Sequence, residues 1–355
     1  MDYLFSKTLS EILAHSVVFP GRPLRCMVVA NPTAGGFYIK SKWASHIRIL
    51  NKYVEKAKAN PGRQLHKNII INLTQGKGSA KEITNAFINM IEKDQNPFYL
   101  IISAGGDGTH SEVMFSIYNA PAHVRSNVAI LRLPMGTGND GADATTLEGA
   151  LDLLLSPSRI EYAPAVQLVL ADDGPAKSKG PFLAFNILSV GLDAYVTHKT
   201  NSMKGKVAGN TYKFWIDMAA LFYEKKFKVD FMDVRAFDVD NNELLSFNEK
   251  LLLLAMGVSG HRTYGSQQKI LSDHRNVCAV KKMSLLNKLK IKGQVTKGKH
   301  TENPNAIMLN AHRLEFSGKH PILAQMDGET VLLQPEDFPA KMELTSPVIP
   351  LLKMG

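Results

Sequence analysis

Phe98-Tyr99-Leu100-Ile101-Ile102-Ser103-Ala104-Gly105-Gly106-Asp107-Gly108-Thr109 is an apolar run that stops at a glycine-rich turn. A short apolar run bounded in this way reads as a buried strand, and the helical pattern after it marks an α/β unit. The strand is expected over 98–103 and the helix from about His110. Similar units surround it. Cys26 to Ala30 predicts a strand that ends in Asn31-Pro32-Thr33-Ala34-Gly35-Gly36, with a helix over roughly 41–58 behind it. Asn68 to Leu73 predicts another, followed by a helix over 79–93 with Ser79 as N-cap and Glu82 completing a capping box. Val128 to Leu133 leads into Pro134-Met135-Gly136-Thr137-Gly138-Asn139-Asp140, and a helix is expected from Leu147 to Leu155. Strands alternating with helices imply crossover connections and a mostly parallel sheet. Ligands of such sheets gather at the carboxyl ends of the strands, where all three glycine turns lie.

The pattern changes after Ser156-Pro157-Ser158. Strands joined mostly by turns are expected over 165–170, 182–190, 227–239, 250–258, 277–283, 306–316 and 322–326, with one helix around Tyr212 to Lys225. This half reads as an antiparallel β-domain, with a boundary near residue 158. Residues 1–24 precede the first strand, and Leu4, Phe5, Leu9, Ile12, Leu13 and Val17 recur there at helical spacing. That N-terminal extension is an amphipathic helix that packs on the domain, on a second subunit or on a membrane.

A length of 355 residues suits two domains. Lys and Arg number 42 against 32 Asp and Glu, a formal charge of +10 that favours nucleotides, nucleic acid or acidic membrane as partners, or simply solubility. Cys26 and Cys278 sit in apolar runs without metal-type spacing, so both read as reduced core residues of a reducing compartment. The start of the chain has no secretory pattern, and apolar runs such as Leu251 to Met256 are too short to cross a bilayer. A cytoplasmic protein that meets membranes only peripherally is expected. Between Lys281 and His300 stand seven lysines and no acid, interleaved with Leu285, Leu286, Leu289 and Ile291. This segment is either a basic patch facing an anionic membrane or the solvated lysine face of a strand-loop-strand.

Glycines let backbone N–H groups approach phosphate oxygens, and the helix after Gly105 to Thr109 points its positive end into the same place. Asp107 there suits Mg²⁺ or the orientation of a hydroxyl, and Thr109 suits a cap or a phosphate. The competing reading is an ordinary tight turn. A second turn with Gly136, Thr137, Gly138, Asn139 and Asp140, one strand away, favours a nucleotide cleft. No G-x-x-x-x-G-K-[ST] loop occurs in the chain, nor a G-x-G-x-x-G after the first strand. Asn31 and Thr33 in the third turn, and Thr74 after the second strand, lie at the same edge. Near the C-terminus, Asp327-Gly328-Glu329 either poises a carboxylate as a general base or forms a hairpin with exposed acids.

In this order the turns from Asn31, Gly105 and Pro134, with Asp327-Gly328-Glu329, resemble the diacylglycerol kinase catalytic-domain family. That family includes bacterial lipid kinases, sphingosine kinases and ceramide kinase. Asn186-Ile187-Leu188-Ser189-Val190-Gly191-Leu192-Asp193-Ala194 also looks like the family's strand entering its second domain, so the resemblance runs from about residue 25 to the C-terminus. It implies a three-layer α/β nucleotide-binding domain over 25–158, similar to NAD kinase and phosphofructokinase, with a C-terminal return at about 338–355. An antiparallel β-sandwich lipid or substrate domain would occupy 159–337. It implies ATP and Mg²⁺ as cofactors, held by Asn31, Thr33, Thr74, Gly105, Gly106, Asp107, Gly108, Thr109, His110, Ser111, Gly136, Thr137 and Asn139. Asp107 would handle Mg²⁺-ATP, and Glu329 would take the proton of a lipid hydroxyl such as that of diacylglycerol or a sphingoid base. Peripheral contact with an anionic membrane is expected and nucleic acid is not; a homodimer stays open.

Several positions depart from the family pattern. His110-Ser111 replaces an aliphatic-Asn pair, Gly141-Ala142-Asp143 stands where Phe-Ala-Arg is common, and Tyr264 to Gln268 lacks a glycine cluster. Ser272-Asp273-His274-Arg275 replaces an Asp-Asp-Gly loop that carries a structural Mg²⁺, leaving Asp273 as a candidate metal ligand. Two alternatives remain at this point: a soluble kinase of NAD or a sugar phosphate, and a non-catalytic module derived from a kinase that binds nucleotide or membrane.

Overall fold

The computed structural model describes residues 3–16, 18, 23–59, 68–136, 139–141, 144–156, 158–203, 222–265 and 268–355. The chain divides into two units, one of Met1–Ala163 with Pro347–Gly355 and one of Pro164–Ser346.

In the first unit the elements follow as α1 (Tyr3–Ala14), β1 (Leu24–Ala30), α2 (Gly35–Tyr38), α3 (Lys40–Ala59), β2 (Asn68–Leu73) and α4 (Ser79–Lys93). Then come β3 (Phe98–Gly105), α5 (Asp107–Tyr118), α6 (Ala122–Arg125), β4 (Val128–Pro134), α7 (Leu147–Leu155) and β5 (Ser158–Ala163). The sheet order is β2-β1-β3-β4, then the C-terminal strand Ile349–Met354, then β5. The first four strands are parallel; the C-terminal strand runs parallel to β4 and antiparallel to β5. Every residue of β3 and β4 is buried, as expected for central strands covered on both faces. Leu100 and Ile102 point to a core shared with Leu50 and Val54 of α3 and Leu151 and Leu154 of α7. Their neighbours Tyr99 and Ile101, also fully buried, point by alternation to the other face, which α4 and α5 cover.

The expected N-terminal extension belongs to this unit. Phe5, Leu9 and Ile12 of α1 are completely buried in the same core, and Phe5 meets the Phe37 ring edge-on at 5.0 Å. Three details differ from expectation. β3 runs on to Gly105 and α5 begins at Asp107, because Gly106 in extended conformation serves as the cap. The cap of α4 is Gly78, at φ 84°, rather than Ser79. The unit also extends to Ala163, and its C-terminal part starts at Pro347 rather than near 338.

The second unit contains β6 (Val166–Val169), β7 (Phe182–Ala184), β8 (Ile187–Gly191), α8 (Leu192–Met203), β9 (Phe231–Phe237), β10 (Glu243–Gly257), β11 (Arg262–Tyr264) and β12 (Gln268–Leu271). It continues through β13 (Val277–Lys281), α9 (Leu285–Lys297), β14 (Ala306–Leu309), β15 (Arg313–Gly318), β16 (Ile322–Met326), β17 (Glu329–Leu333) and β18 (Ala340–Leu344). Its main sheet follows the path β17-β16-β8-β10-β9-β15-β18-β6-β7, with β13 and β14 branching from β10. The first half of β10 pairs with β9 and its second half with β8 and β13, so one long strand serves two pairings. The antiparallel sheet thereby curls around Val234, Leu254, Leu314 and Met342, all almost fully buried. The expected helix over 212–225 falls largely outside the described residues; 222–226 are helical. α9 stands where a strand-loop-strand was one reading of the lysine-rich segment, and α8 follows directly on β8.

Two aspartates fix turns in this unit. Asp327 and Gly328 form the two-residue connection of β16 and β17, with φ of 48° and 105°. This is the left-handed geometry favoured by Asp-Gly hairpins. The Asp327 carboxylate turns inward and accepts from the backbone N–H groups of Phe185, Asn186 (3.1 Å) and Ile187 (3.1 Å), which splits the expected strand over 182–190 in two. Between β12 and β13, Asp273 accepts from Nε and Nη2 of Arg275 at 3.1 and 2.5 Å and from its backbone N–H at 2.9 Å. These side-chain bonds from Arg275 hold the Asp273 carboxyl down at about 2.

Asp327→Ala strips the acceptor from buried amides and is expected to destabilise the protein by about 3 kcal/mol, or roughly 6–12 °C in thermal unfolding. Asp327→Asn, which keeps one acceptor and tolerates the left-handed backbone, is expected to lose clearly less; equal unfolding temperatures would contradict the anchoring role. For the second turn the sign follows from a depressed carboxylate pKa. The Asp273–Arg275 pair stabilises above the unfolded value near ~4 and fades as pH falls toward ~2. Arg275→Ala is therefore expected to cost about 1 kcal/mol in urea titrations at neutral pH, with the difference from wild type shrinking below about pH 4.

Candidate functional site

The register of the parallel sheet decides where the turns lie. Ala30 pairs with Leu73 and with Ala104, and Gly105 pairs with Pro134, so the four strands end level with one another. Backbone bonds then tie the loops together. The N–H of Asn31 donates to Ala104 O and that of Thr74 to Ala30 O, both at 2.9 Å. Met135 N donates to Gly105 O at 2.9 Å, and Gly36 N to Met135 O at 2.7 Å. Thus the three glycine turns and Thr74, all expected at one edge, do meet there. Thr137 and Gly138 lie outside the described residues.

At the centre of this edge, Gly106 and Gly136 touch backbone to backbone. A Cβ on Gly136 would sit 2.5 Å from Gly106 Cα, and one on Gly106 would sit 3.2 Å from Gly136 Cα. Asn139, at φ 56°, holds the second turn shut: its Oδ1 accepts from Gly136 N at 2.7 Å, and its Nδ2 donates to Pro134 O and Gly136 O at 3.3 Å. Across from it, Asp107 Oδ1 accepts from Gly141 N at 2.9 Å. The first turn of α5 brings N–H groups that lack intrahelical acceptors, together with the positive end of the helix dipole.

Asn31 is fixed from both sides. Its Nδ2 donates to Thr109 Oγ1 at 3.2 Å, and its Oδ1 accepts from the N–H and hydroxyl of Thr33 at 3.0 and 2.8 Å. Thr109 and Thr74 are nearly buried, whereas Gly108 and Thr33 face solvent. His110 is different: its ring is 1% exposed and its Nδ1 lies 2.7 Å from Ser103 Oγ on the fully buried β3. The residue that departs from the family's aliphatic position is thus an interior group matched by a serine on the neighbouring strand. Ser111 is half-buried. His46 packs against Gly36, where burial lowers its pKa and favours the neutral ring.

Glu112 was not singled out from the sequence. Its carboxylate accepts from the N–H groups of Gly78, Ala80 and Lys81 at 2.8, 3.0 and 3.3 Å, so an internal anion already occupies the N-terminus of α4. No local signal reveals this, because donor and acceptor stand more than thirty positions apart.

Glu329 and Asp273 belong to the second unit. Glu329 opens β17 with an exposed side chain while Asp327 faces inward, so the motif divides into an anchor and a surface acid. α8 braces this hairpin: Asn201 Nδ2 donates to Gly328 O at 2.7 Å, and His198 Nδ1 lies 3.3 Å from Thr330 Oγ1. Fully buried Gln325 donates to Ser189 Oγ at 2.9 Å and accepts from Gly328 N at 3.2 Å. Ser189 in turn donates to Asp193 at 2.7 Å. Asp273 has both oxygens committed to Arg275, so a guanidinium stands where a cation was expected. Among the described residues no group of three or more His, Cys, Asp or Glu is arranged to hold a metal ion by itself. Among them, too, no helix is long and apolar enough to cross a membrane.

Residues 25–157 match the family model of the diacylglycerol kinase catalytic domain. A diacylglycerol kinase of Staphylococcus epidermidis is 25% identical over 242 residues, which span 66% of this chain and 69% of that protein. A diacylglycerol kinase of Staphylococcus aureus is 24% identical over 234 residues, spanning 65% of this chain and 68% of that one. A solved structure of a candidate diacylglycerol kinase from Bacillus anthracis str. Sterne superposes with a TM-score of 0.58 at 16% identity, covering 92% of this chain and 96% of its own. That likeness establishes the shared architecture, a parallel α/β unit and a curled antiparallel β-unit. The ordered motifs and the matched segment together identify the chain as a lipid kinase with a diacylglycerol kinase-like catalytic segment over residues 25–157.

Proposed function

We propose that the protein transfers the γ-phosphoryl group of ATP to a hydroxyl of a lipid such as a diacylglycerol or a sphingoid base. The observation that carries this reading is the contact of Gly106 with Gly136. It leaves a floor of bare backbone at the carboxyl edge of the sheet, beside the N-terminus of α5, where anionic phosphates are favoured. The names of the relatives support the lipid acceptor.

In this proposal Asn31, Thr33, Thr74, Gly105 to Thr109, Ser111, Gly136, Thr137 and Asn139 form the nucleotide set, and His110 supports it from the interior. Asp107 would hold Mg²⁺, which takes few protein carboxylates and completes its shell with phosphate and water; bound there, it would neutralise charge on the transferring phosphoryl. Glu329 accepts the proton of the lipid hydroxyl as that oxygen forms its bond to the γ-phosphorus. The bond between the γ-phosphorus and the bridging oxygen breaks, and ADP leaves. Catalysis then rests mainly on positioning and charge neutralisation. A cytoplasmic location goes with the reading, supported by two buried, unpaired cysteines.

Incubation with γ-labelled ATP and a lipid extract, with NAD and sugar phosphates in parallel and mass analysis of the product, is expected to label a lipid alone. Labelled NAD or sugar would remove the proposal. Glu329→Gln is expected to lower kcat by about 10²–10³-fold with little change in the KM for ATP. Asp107→Asn keeps an oxygen for Gly141 N but loses the charge, and a drop of about 10²-fold is expected. Losses of no more than about twofold would rule out these roles. Gly136→Ala drives a methyl into Gly106 and is expected to raise the KM for ATP by at least about tenfold, read by steady-state kinetics at saturating lipid.

A further inference from the structure

Helix α9 presents leucine to solvent on a fixed face. Leu285, Leu286 and Leu289 are 52%, 79% and 52% exposed, an unusual concentration of apolar surface for one turn of helix. The helix has little freedom to roll and hide them. On its inner side Ile291 is 7% exposed and packs with Ile187, Leu271 and Cys278, and Val295 joins the same cluster. Lys288 Nζ is bound to Glu224 at 2.6 Å, Thr296 donates to Gln268 at 2.8 Å, and Asn303 donates to Gln294 at 2.6 Å. Gly298, at φ 71°, ends the helix.

The segment that carries these leucines has charge of one sign, and the acid that packs against it, Glu224, is engaged by Lys288 and Lys282 on its inner side. Lys290, Lys292 and Lys297 are exposed along the same outward side, Lys282 and Lys299 flank the helix, and no acid occurs between Lys281 and His300. At 1.5 Å per residue the 13 residues of α9 span about 20 Å. Leucines at one end of an outward face with lysines along the rest match the physics of a helix lying in a bilayer interface. Apolar side chains enter the acyl boundary there, and ammonium groups meet anionic headgroups.

We propose that α9 docks the protein on anionic lipid bilayers, with Leu285, Leu286 and Leu289 inserted and Lys290, Lys292 and Lys297 on the headgroups. The docking surface deepens the lipid-kinase reading and rests on it for its purpose. It does not depend on turnover. α9 is tied through Glu224 to the 222–228 segment, whose Tyr223 and Phe227 rings pack tilted and edge-on against Tyr195 of α8, and α8 braces the hairpin that carries Glu329. The membrane contact and the acid assigned as base therefore sit on one continuous piece of packing within the second unit.

The test is sedimentation of the full chain, without ATP, with vesicles of phosphatidylcholine alone or with about 30% phosphatidylglycerol. Binding to the anionic vesicles is expected, weakened at least about tenfold in ~0.5 M salt. The triple variant Leu285→Ser, Leu286→Ser, Leu289→Ser, altered only at exposed positions, is expected to bind at least about tenfold more weakly with an unchanged unfolding temperature. Lys290→Glu, Lys292→Glu, Lys297→Glu is expected to do the same. Wild-type protein that stays in the supernatant, or a leucine variant that sediments like wild type, overturns the proposal. So does a concentration-dependent dimer that disperses in the leucine variant while vesicle binding persists. Turnover of a short-chain lipid in micelles is read separately: vesicle binding without turnover leaves the docking surface standing and removes the kinase reading, and turnover without binding does the reverse.

Discussion

Two glycine backbones in contact set the geometry of the carboxyl edge of the parallel sheet. Where Gly106 meets Gly136, two loops from adjacent strands come into backbone contact: a side chain at Gly136 would clash outright, and one at Gly106 would be crowded. This closeness follows from the level ends of β3 and β4, and Asn139 preserves it by satisfying the amide and carbonyls of its own turn. The polar side chains nearby are bonded mainly to the loops themselves: Asn31 to Thr33 and Thr109, Asp107 to Gly141. Rigid donors at fixed positions require little reorganisation when charge develops on a phosphoryl group, which is where electrostatic catalysis gains most.

Much of the first unit was legible from the chain because central parallel strands are apolar throughout and end in glycine. Both signals are local. What escaped was long-range. Glu112 caps a helix that begins more than thirty residues earlier, and Ser103 complements His110 only because β3 and α5 are packed one on the other. The strand over 182–190 looked continuous from its apolar content; the carboxylate that interrupts it comes from Asp327. α9 was missed for a different reason. Its outward leucines and interior Gly293 do not follow the period of a helix buried on one face, and lysines fill the remaining positions. A helix made for a surface lacks the pattern by which core helices are recognised.

The hairpin of β16 and β17 shows how one short motif divides its work. Asp327, inside the turn, directs its carboxylate into the protein, and Glu329, the first residue after it, is exposed. The inner carboxylate binds three amides at the β7–β8 junction, and Gln325, two residues before the turn, binds Ser189 on β8. A surface acid mounted on so many buried bonds has a defined position. Asp273 illustrates the contrary case. Its carboxylate is satisfied by the guanidinium two residues away.

The strand Ile349–Met354 lies between β4 and β5 in the first sheet, although the whole second unit separates it from them in the chain. A ribosome delivers β4 and β5 long before it delivers their neighbour. During that interval β4 presents an open edge, and β5 has no partner in the sheet. The nascent first unit therefore waits in an incomplete form while about 180 residues of the second unit are made. The loops at the carboxyl edge are thus made before the strand that completes their sheet.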